Sequence, residues 1–310
     1  MKSRAGKRPN RVGRPAYAGI AVGIVSLAGL LAFALQGASK DHRGFFHDIR
    51  LAFSSDSGAG RAIRLWDGRR YAELRAAGCG GDSSYSPAWS NDGRRLAFLT
   101  VRSGQTAVCV VDDDHHDGFR AFEPKAKASN VVWHPSGDRL LVTEPGGTGG
   151  GALVEVSLPG GDQERLVEGS QGFGRPAWKP DGSEFTVATG ENHLQFYDAQ
   201  GGRRDFWPDT KDQSPSWSRD GSSLAFVREE QSGWALLVMD TKTRAISKVR
   251  SSPDLLFNLD WSPDDRYIAF EAYNHRSGNA DIFVTEASAD ASARVLFAGA
   301  GDDGSPVFRP

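Results

Sequence analysis

The sequence predicts an all-β chain: a six-bladed β-propeller closed by its own C-terminal strand and preceded by one N-terminal transmembrane helix. Three observations carry that expectation. A Trp-centred unit recurs five times between residues 86 and 272, half a unit stands at each end of the repeats, and an uncharged run of twenty residues precedes them. The 37 glycines suit a fold built from many tight turns.

The elements divide the chain into a basic tail (1–15), an anchor (16–35), a polar linker (36–48) and the propeller (49–310). The tail carries Lys2, Arg4, Lys7, Arg8, Arg11 and Arg14 and no acid. The run AYAGIAVGIVSLAGLLAFAL would span about 30 Å as a helix, the thickness of a bilayer core. With the cations before it, the positive-inside rule sets the tail in the cytoplasm and the propeller outside. The competing reading is a cleaved signal, for which Ala32-Phe33-Ala34 offers a weak small-x-small site. Both readings export the propeller. Once the six tail cations are set aside, the 39 acidic residues outnumber the basic ones, which argues against nucleic acid as a partner.

The five units read SPAWSNDGRRLAFLT, NVVWHPSGDRLLVT, RPAWKPDGSEFTVAT, SPSWSRDGSSLAFVR and NLDWSPDDRYIAFEA. Their tryptophans, Trp89, Trp133, Trp178, Trp217 and Trp261, stand 44, 45, 39 and 44 residues apart, the length of one four-stranded blade. A strand ends in Trp, a polar turn such as Asn91-Asp92-Gly93 reverses the chain, and an apolar second strand follows. Runs such as Val108-Cys109-Val110-Val111 are apolar on both faces, as blades stacked around an axis require.

The ends complement each other. Residues 49–53 (IRLAF) read as a second strand without its first, and residues 305–309 (SPVFR) as a first strand without its second, with Phe308 47 residues beyond Trp261. Joined, they make the sixth blade and hide the open sheet edges.

The recurring x-Pro-x-Trp-Ser-x-Asp-Gly-x-x-Leu-Ala-Phe pattern resembles the repeats of TolB-like propellers over residues 49–310. The resemblance implies the fold. It does not imply the function, because one propeller hosts many. That family carries a separate domain before the propeller, where this chain has the apolar run, so the family's role in envelope integrity is not carried over.

Catalytic motifs are absent from the sequence: there is no G-x-S-x-G elbow, H-E-x-x-H pair, phosphate loop or dinucleotide fingerprint. No cofactor is expected. The cluster Asp112-Asp113-Asp114-His115-His116-Asp117 reads as a solvated turn rather than a metal site, since adjacent residues converge poorly on one ion. Residues 146–151 (GGTGGG) read as a flexible loop. Cys79 and Cys109 read as free buried thiols, with a disulfide as the alternative that an exported protein permits.

Propellers bind at a channel mouth. One mouth gathers the residues that begin each first strand and the loops between second and third strands. Tyr85, Asn130, Phe173, Arg175, Gln213, Phe257 and Asn258 fall in the first group; Tyr273, Asn274, His275 and Arg276 form the longest polar loop of the second. The mixture of aromatic, Arg and amide groups suits a binding surface. The leading reading is therefore a tethered, non-enzymatic module that binds a protein, peptide or glycan. The alternatives are a hydrolase or lyase using His275, Arg276 and Arg175, and a cell-surface sensor.

Overall fold

The computed structural model describes residues 50–310 apart from 57, 59, 76, 77, 113–117, 125, 126, 148, 149, 170, 208, 209 and 276. The expected tail, anchor and linker lie outside the described residues, as do Asp113 to Asp117 and Arg276. No helix among the described residues is long and apolar enough to cross a membrane.

Twenty-four strands form six four-stranded antiparallel sheets among the described residues. The first sheet holds β1 (Leu51–Asp56), β2 (Arg61–Trp66) and β3 (Tyr71–Glu73). The second holds β4 (Ser83–Trp89), β5 (Arg95–Arg102), β6 (Gln105–Asp112) and β7 (Gly118–Phe122). The third holds β8 (Asn130–Trp133), β9 (Arg139–Gly147), β10 (Gly150–Ser157) and β11 (Gln163–Gly169). The fourth holds β12 (Ala177–Trp178), β13 (Glu184–Ala188), β14 (Leu194–Asp198) and β15 (Arg203–Phe206). The fifth holds β16 (Asp212–Trp217), β17 (Ser223–Glu230), β18 (Gly233–Asp240) and β19 (Ile246–Ser252). The sixth holds β20 (Leu255–Trp261), β21 (Tyr267–Asn274), β22 (Asn279–Glu286) and β23 (Arg294–Phe297). The last strand, β24 (Asp303–Phe308), returns to the first sheet and pairs antiparallel with β1, Leu51 opposite Phe308 and Ser55 opposite Asp303.

First strands of neighbouring blades touch: β4 meets β8, β12 meets β16, β16 meets β20, β20 meets β24, and β24 meets β4. These strands therefore surround the axis. Val108, Cys109, Val110 and Val111 are all fully buried, so both faces of β6 are packed. Each apolar cluster draws on two adjacent blades, and each large buried side chain contributes roughly 1.5–3 kcal/mol.

The repeat residues explain one another. Ser90, Ser218 and Ser262, each next to its Trp, accept at 2.9 Å from the N–H of Arg95, Ser223 and Tyr267, and donate to Asp92, Asp220 and Asp264. The turn then needs a positive φ, which Gly93, Gly137, Gly182 and Gly221 supply. In the sixth blade Asp265 takes that conformation instead. Its carboxylate accepts the N–H groups of Arg219 and Asp220 from the preceding turn, which offsets the strain.

Each Trp is fastened to the blade before it. Trp133 Nε1 donates to Ala88 O at 2.9 Å and Trp261 Nε1 to Ser216 O at 3.0 Å. A cation of the preceding blade lies over the ring in three cases: Arg309 on Trp89, Arg95 on Trp133 and Lys179 on Trp217. His134 meets Trp178 edge-on.

One expectation needs correction. Cys79 and Cys109 are not free thiols: they form a disulfide, with Cα atoms 5.8 Å apart. Cys79 comes from the loop before β4, and blade packing folds that loop onto the buried Cys109. The Gly-rich segment flanks a hairpin: β9 runs to Gly147 and β10 begins at Gly150, paired with it, while residues 148 and 149 lie outside the described residues.

Candidate functional site

Antiparallel pairing sets the starts of first strands and the loops between second and third strands at one end of the channel, and the Trp-turn segments at the other. At the first end the chain bulges. Ser86, Ser214, Asn258 and Ser305, each three residues before the blade's Trp or Phe308, have φ between 52° and 54°. The ladder register shifts at the same places. The bulges tie blades together: Ser86 Oγ accepts the N–H of Val131, and Ser214 Oγ that of Asn258, both at 3.2 Å.

The described residues expected at this mouth take different places, Arg276 lying outside them. Tyr85 is half-buried and donates to Ala128 O of the next blade at 2.8 Å, and burial pushes its phenol up. Asn130 is half-buried and bonds the neighbouring Ser129. Phe173 lines a cleft of about 450 Å³ between the third and fourth blades, with Tyr197 and Arg203. Gln213 and Phe257 are half-buried, opposite Val227 and Glu271. Asn258 Nδ2 donates to Glu271 Oε2 at 2.8 Å and to Ser305 Oγ at 3.3 Å. Tyr273 and exposed His275 meet edge-on, with centroids 5.2 Å apart. Arg175 turns inward, where Nη2 donates to Pro87 O of the second blade at 3.1 Å.

The channel holds three charged residues that were not among those expected. Arg219, Asp260 and Glu271 all depart from the repeat. Asp260 stands just before its Trp, where other units have Ala88, Val132, Ala177 and Ser216. Ten residues after each Trp come Leu99, Thr143, Ala188, Val227 and then Glu271; two after it come Asn91, Pro135, Pro180, Arg219 and Pro263. Arg175 is likewise the single cation at the bulge position. Aligning the units for their mismatches, not only their matches, would have exposed all four.

Their contacts are specific. Asp260 Oδ2 accepts from Arg219 Nη2 at 3.3 Å and from the N–H of Phe308 at 2.7 Å. Arg219 Nη2 also donates to Trp261 O at 3.2 Å. Burial raises the Asp260 carboxyl against the pull of Arg219 and Arg175, and lowers the Arg175 guanidinium against that of Asp260 and Glu271. Burial pushes Glu271 up to about 7, opposed by its bonds from Asn258 and the N–H of Ser305. Arg175, Arg219 and Asp260 line a cavity of about 120 Å³ whose walls include Trp89, Trp133 and Trp217. Among the described residues no group of three His, Cys, Asp or Glu side chains is placed to hold a metal.

No protein-family model matches the chain. It is 23% identical over 199 residues to the uncharacterized peptidase YuxL of Bacillus subtilis (strain 168), covering 60% of this chain and 29% of that one. It is 27% identical over 166 residues to the Tol-Pal system protein TolB of Chromobacterium violaceum, covering 50% and 34%. A shorter stretch of 53 residues is 40% identical to TolB of Syntrophus aciditrophicus (strain SB), covering 17% and 11%. The matches thus span about a third or less of these curated relatives' lengths. Among solved structures, TolB from Acinetobacter baumannii superposes with a TM-score of 0.70 at 17% identity, over 85% of this chain and 67% of that one. Oligogalacturonate lyase in complex with manganese gives 0.55 at 14% identity, over 77% and 71%. These structural likenesses show the fold alone. With its Trp-centred repeats, its six four-stranded blades and TolB proteins among its relatives, the chain fits a TolB-like family of six-bladed β-propellers.

Proposed function

We propose that this chain is an extracytoplasmic binding module, tethered by residues 16–35, that presents the mouth at the starts of its first strands to a protein, peptide or glycan. The observation that carries the reading is a patch on the sixth blade. Leu255 faces Tyr273 and Phe257 faces Glu271 across the β20–β21 ladder, so all four share one face, and the three apolar and aromatic members keep part of their surface exposed. His275 extends the patch at its rim. Half-exposed aromatic groups on a rigid sheet lose little entropy on docking, which makes them effective anchors. The closed ring, fastened by β24, supplies the rigidity. The disulfide supports the placement outside the cytoplasm, because such bonds persist in oxidising compartments.

A photo-crosslinking residue at Tyr273, compared with one at exposed Val295 on the outer strand β23, tests the site in membranes. A discrete adduct from position 273 alone is expected. Adducts from position 295 alone, or from neither, would contradict the choice of face.

A further inference from the structure

We infer that the opposite end of the channel is a receptor for a single carboxylate, held between Arg175 and Arg219. This site opens among the Trp-turn segments, so it stands or falls separately from the mouth proposed above.

The case begins with departures from the repeat. In a ring of similar blades, packing asks for similar residues at equivalent positions. Arg175, Arg219 and Asp260 break that rule in three different blades, at three different positions, and yet line one cavity. Packing alone gives no reason for that convergence.

The hydrogen-bond inventory is incomplete in one direction. Arg175 uses Nη2 on Pro87 O, while its Nη1 is buried and meets no acceptor. Arg219 uses Nη2 on Asp260 and Trp261 O, while its Nε is likewise buried and meets none. Leaving such donors unmade is costly, and both guanidinium-bearing residues line the cavity. Asp260 Oδ2 accepts from Arg219 Nη2 and the N–H of Phe308, and neither Asp260 oxygen is bonded to Arg175 Nη1 or Arg219 Nε. Two guanidinium groups line the cavity against one carboxylate, Asp260. Glu271 is Arg175's other acidic neighbour, but its Oε2 is engaged by Asn258 and Ser305.

Size narrows the class. A cavity of about 120 Å³ holds roughly four waters, or one carboxylate with a small substituent. A planar carboxylate presents two acceptors to two guanidinium donors, a match a spherical halide lacks. The carboxylate could belong to a free short-chain acid or to the C-terminus of a peptide entering from the turn side.

The test is titration of the full-length protein in detergent with sodium acetate, at constant ionic strength against sodium chloride, read by tryptophan fluorescence. Trp89, Trp133 and Trp217 line the cavity and serve as reporters. Saturable binding in the millimolar range is expected. Arg219→Gln should weaken it about tenfold or more, and Asp260→Asn should strengthen it by removing the competing charge. Because Arg175→Gln is exposed to misfolding, Arg175→Lys serves as the second probe and should weaken binding with the melting transition retained. A peptide acid that binds where its C-terminal amide does not would assign the chain-end source, while acetate binding without peptide binding would assign the free acid. No saturation with either, or equal responses from wild type and Arg219→Gln, would overturn the site and leave only water in the cavity.

Discussion

The backbone N–H of Ser305 donates to Glu271 Oε2 at 2.9 Å, so a carboxylate of the sixth blade holds the strand that completes the first. The fit is close. A Cβ added to the adjacent Gly304 would come within 3 Å of that carboxylate, which explains why glycine stands there. Asn258 joins the same oxygen from β20.

This contact makes stability depend on pH. Glu271 has its proton affinity raised to about 7 in the folded chain, from an ordinary value of 4.5. Between those values the unfolded chain has lost a proton that the folded chain keeps, so stability falls as pH rises through this window and levels off above it. Relative to Glu271→Gln, the wild type should lose about 2–3 kcal/mol of unfolding free energy between about pH 5 and about pH 8. Urea titrations of both proteins at the two pH values check this; parallel pH dependence would contradict it.

The last strand should matter to the whole ring. Phe308 is 1% exposed, and its N–H donates to Asp260 in the neighbouring blade. Phe308→Ala should cost about 3–5 kcal/mol, and removal of residues 305–310 should lower the melting temperature of the whole propeller in one transition. A truncated protein that melts like the full-length one would show that β24 is dispensable.

A buried ion pair makes a third prediction. Asp212 is fully buried and takes two hydrogen bonds from Arg228, at 2.7 and 2.9 Å, along with donors from Trp207 and Thr210. Arg228→Ala leaves that carboxylate without its counter-charge and should cost about 3–5 kcal/mol. Adding Asp212→Asn should recover part of the loss, since the new amide oxygen still accepts from Trp207 Nε1. Chemical unfolding of the single and double variants measures the coupling.

Much of the fold was legible because one residue type marked it. Trp recurs at blade length, and the run Val108 to Val111 told that both sheet faces are covered. What was harder to read depends on contacts between blades. The meeting of Cys79 with Cys109, 30 residues apart, follows from how a loop folds back, not from spacing. Arg175 was placed at a mouth by its position before Trp178, but its side chain crosses the channel to Pro87, a blade two removed. Asp260 and Glu271 are legible only as departures from what the units share, single acids inside mostly apolar strands. Asp212 and Arg228 sit in their strands as ordinary polar residues until the ladder sets them opposite each other.

The disulfide offers the most direct test of an extracytoplasmic propeller. Bridging a separation of 30 residues, it should contribute about 3–4 kcal/mol by constraining the unfolded chain. Its redox state in cells also reports the compartment. Because both cysteines are buried, cells would be lysed into denaturant with a maleimide reagent, and the mass of the protein compared before and after reduction. No labelling before reduction and two labels after it are expected. Two labels without reduction would place the propeller in a reducing compartment and rule out its export.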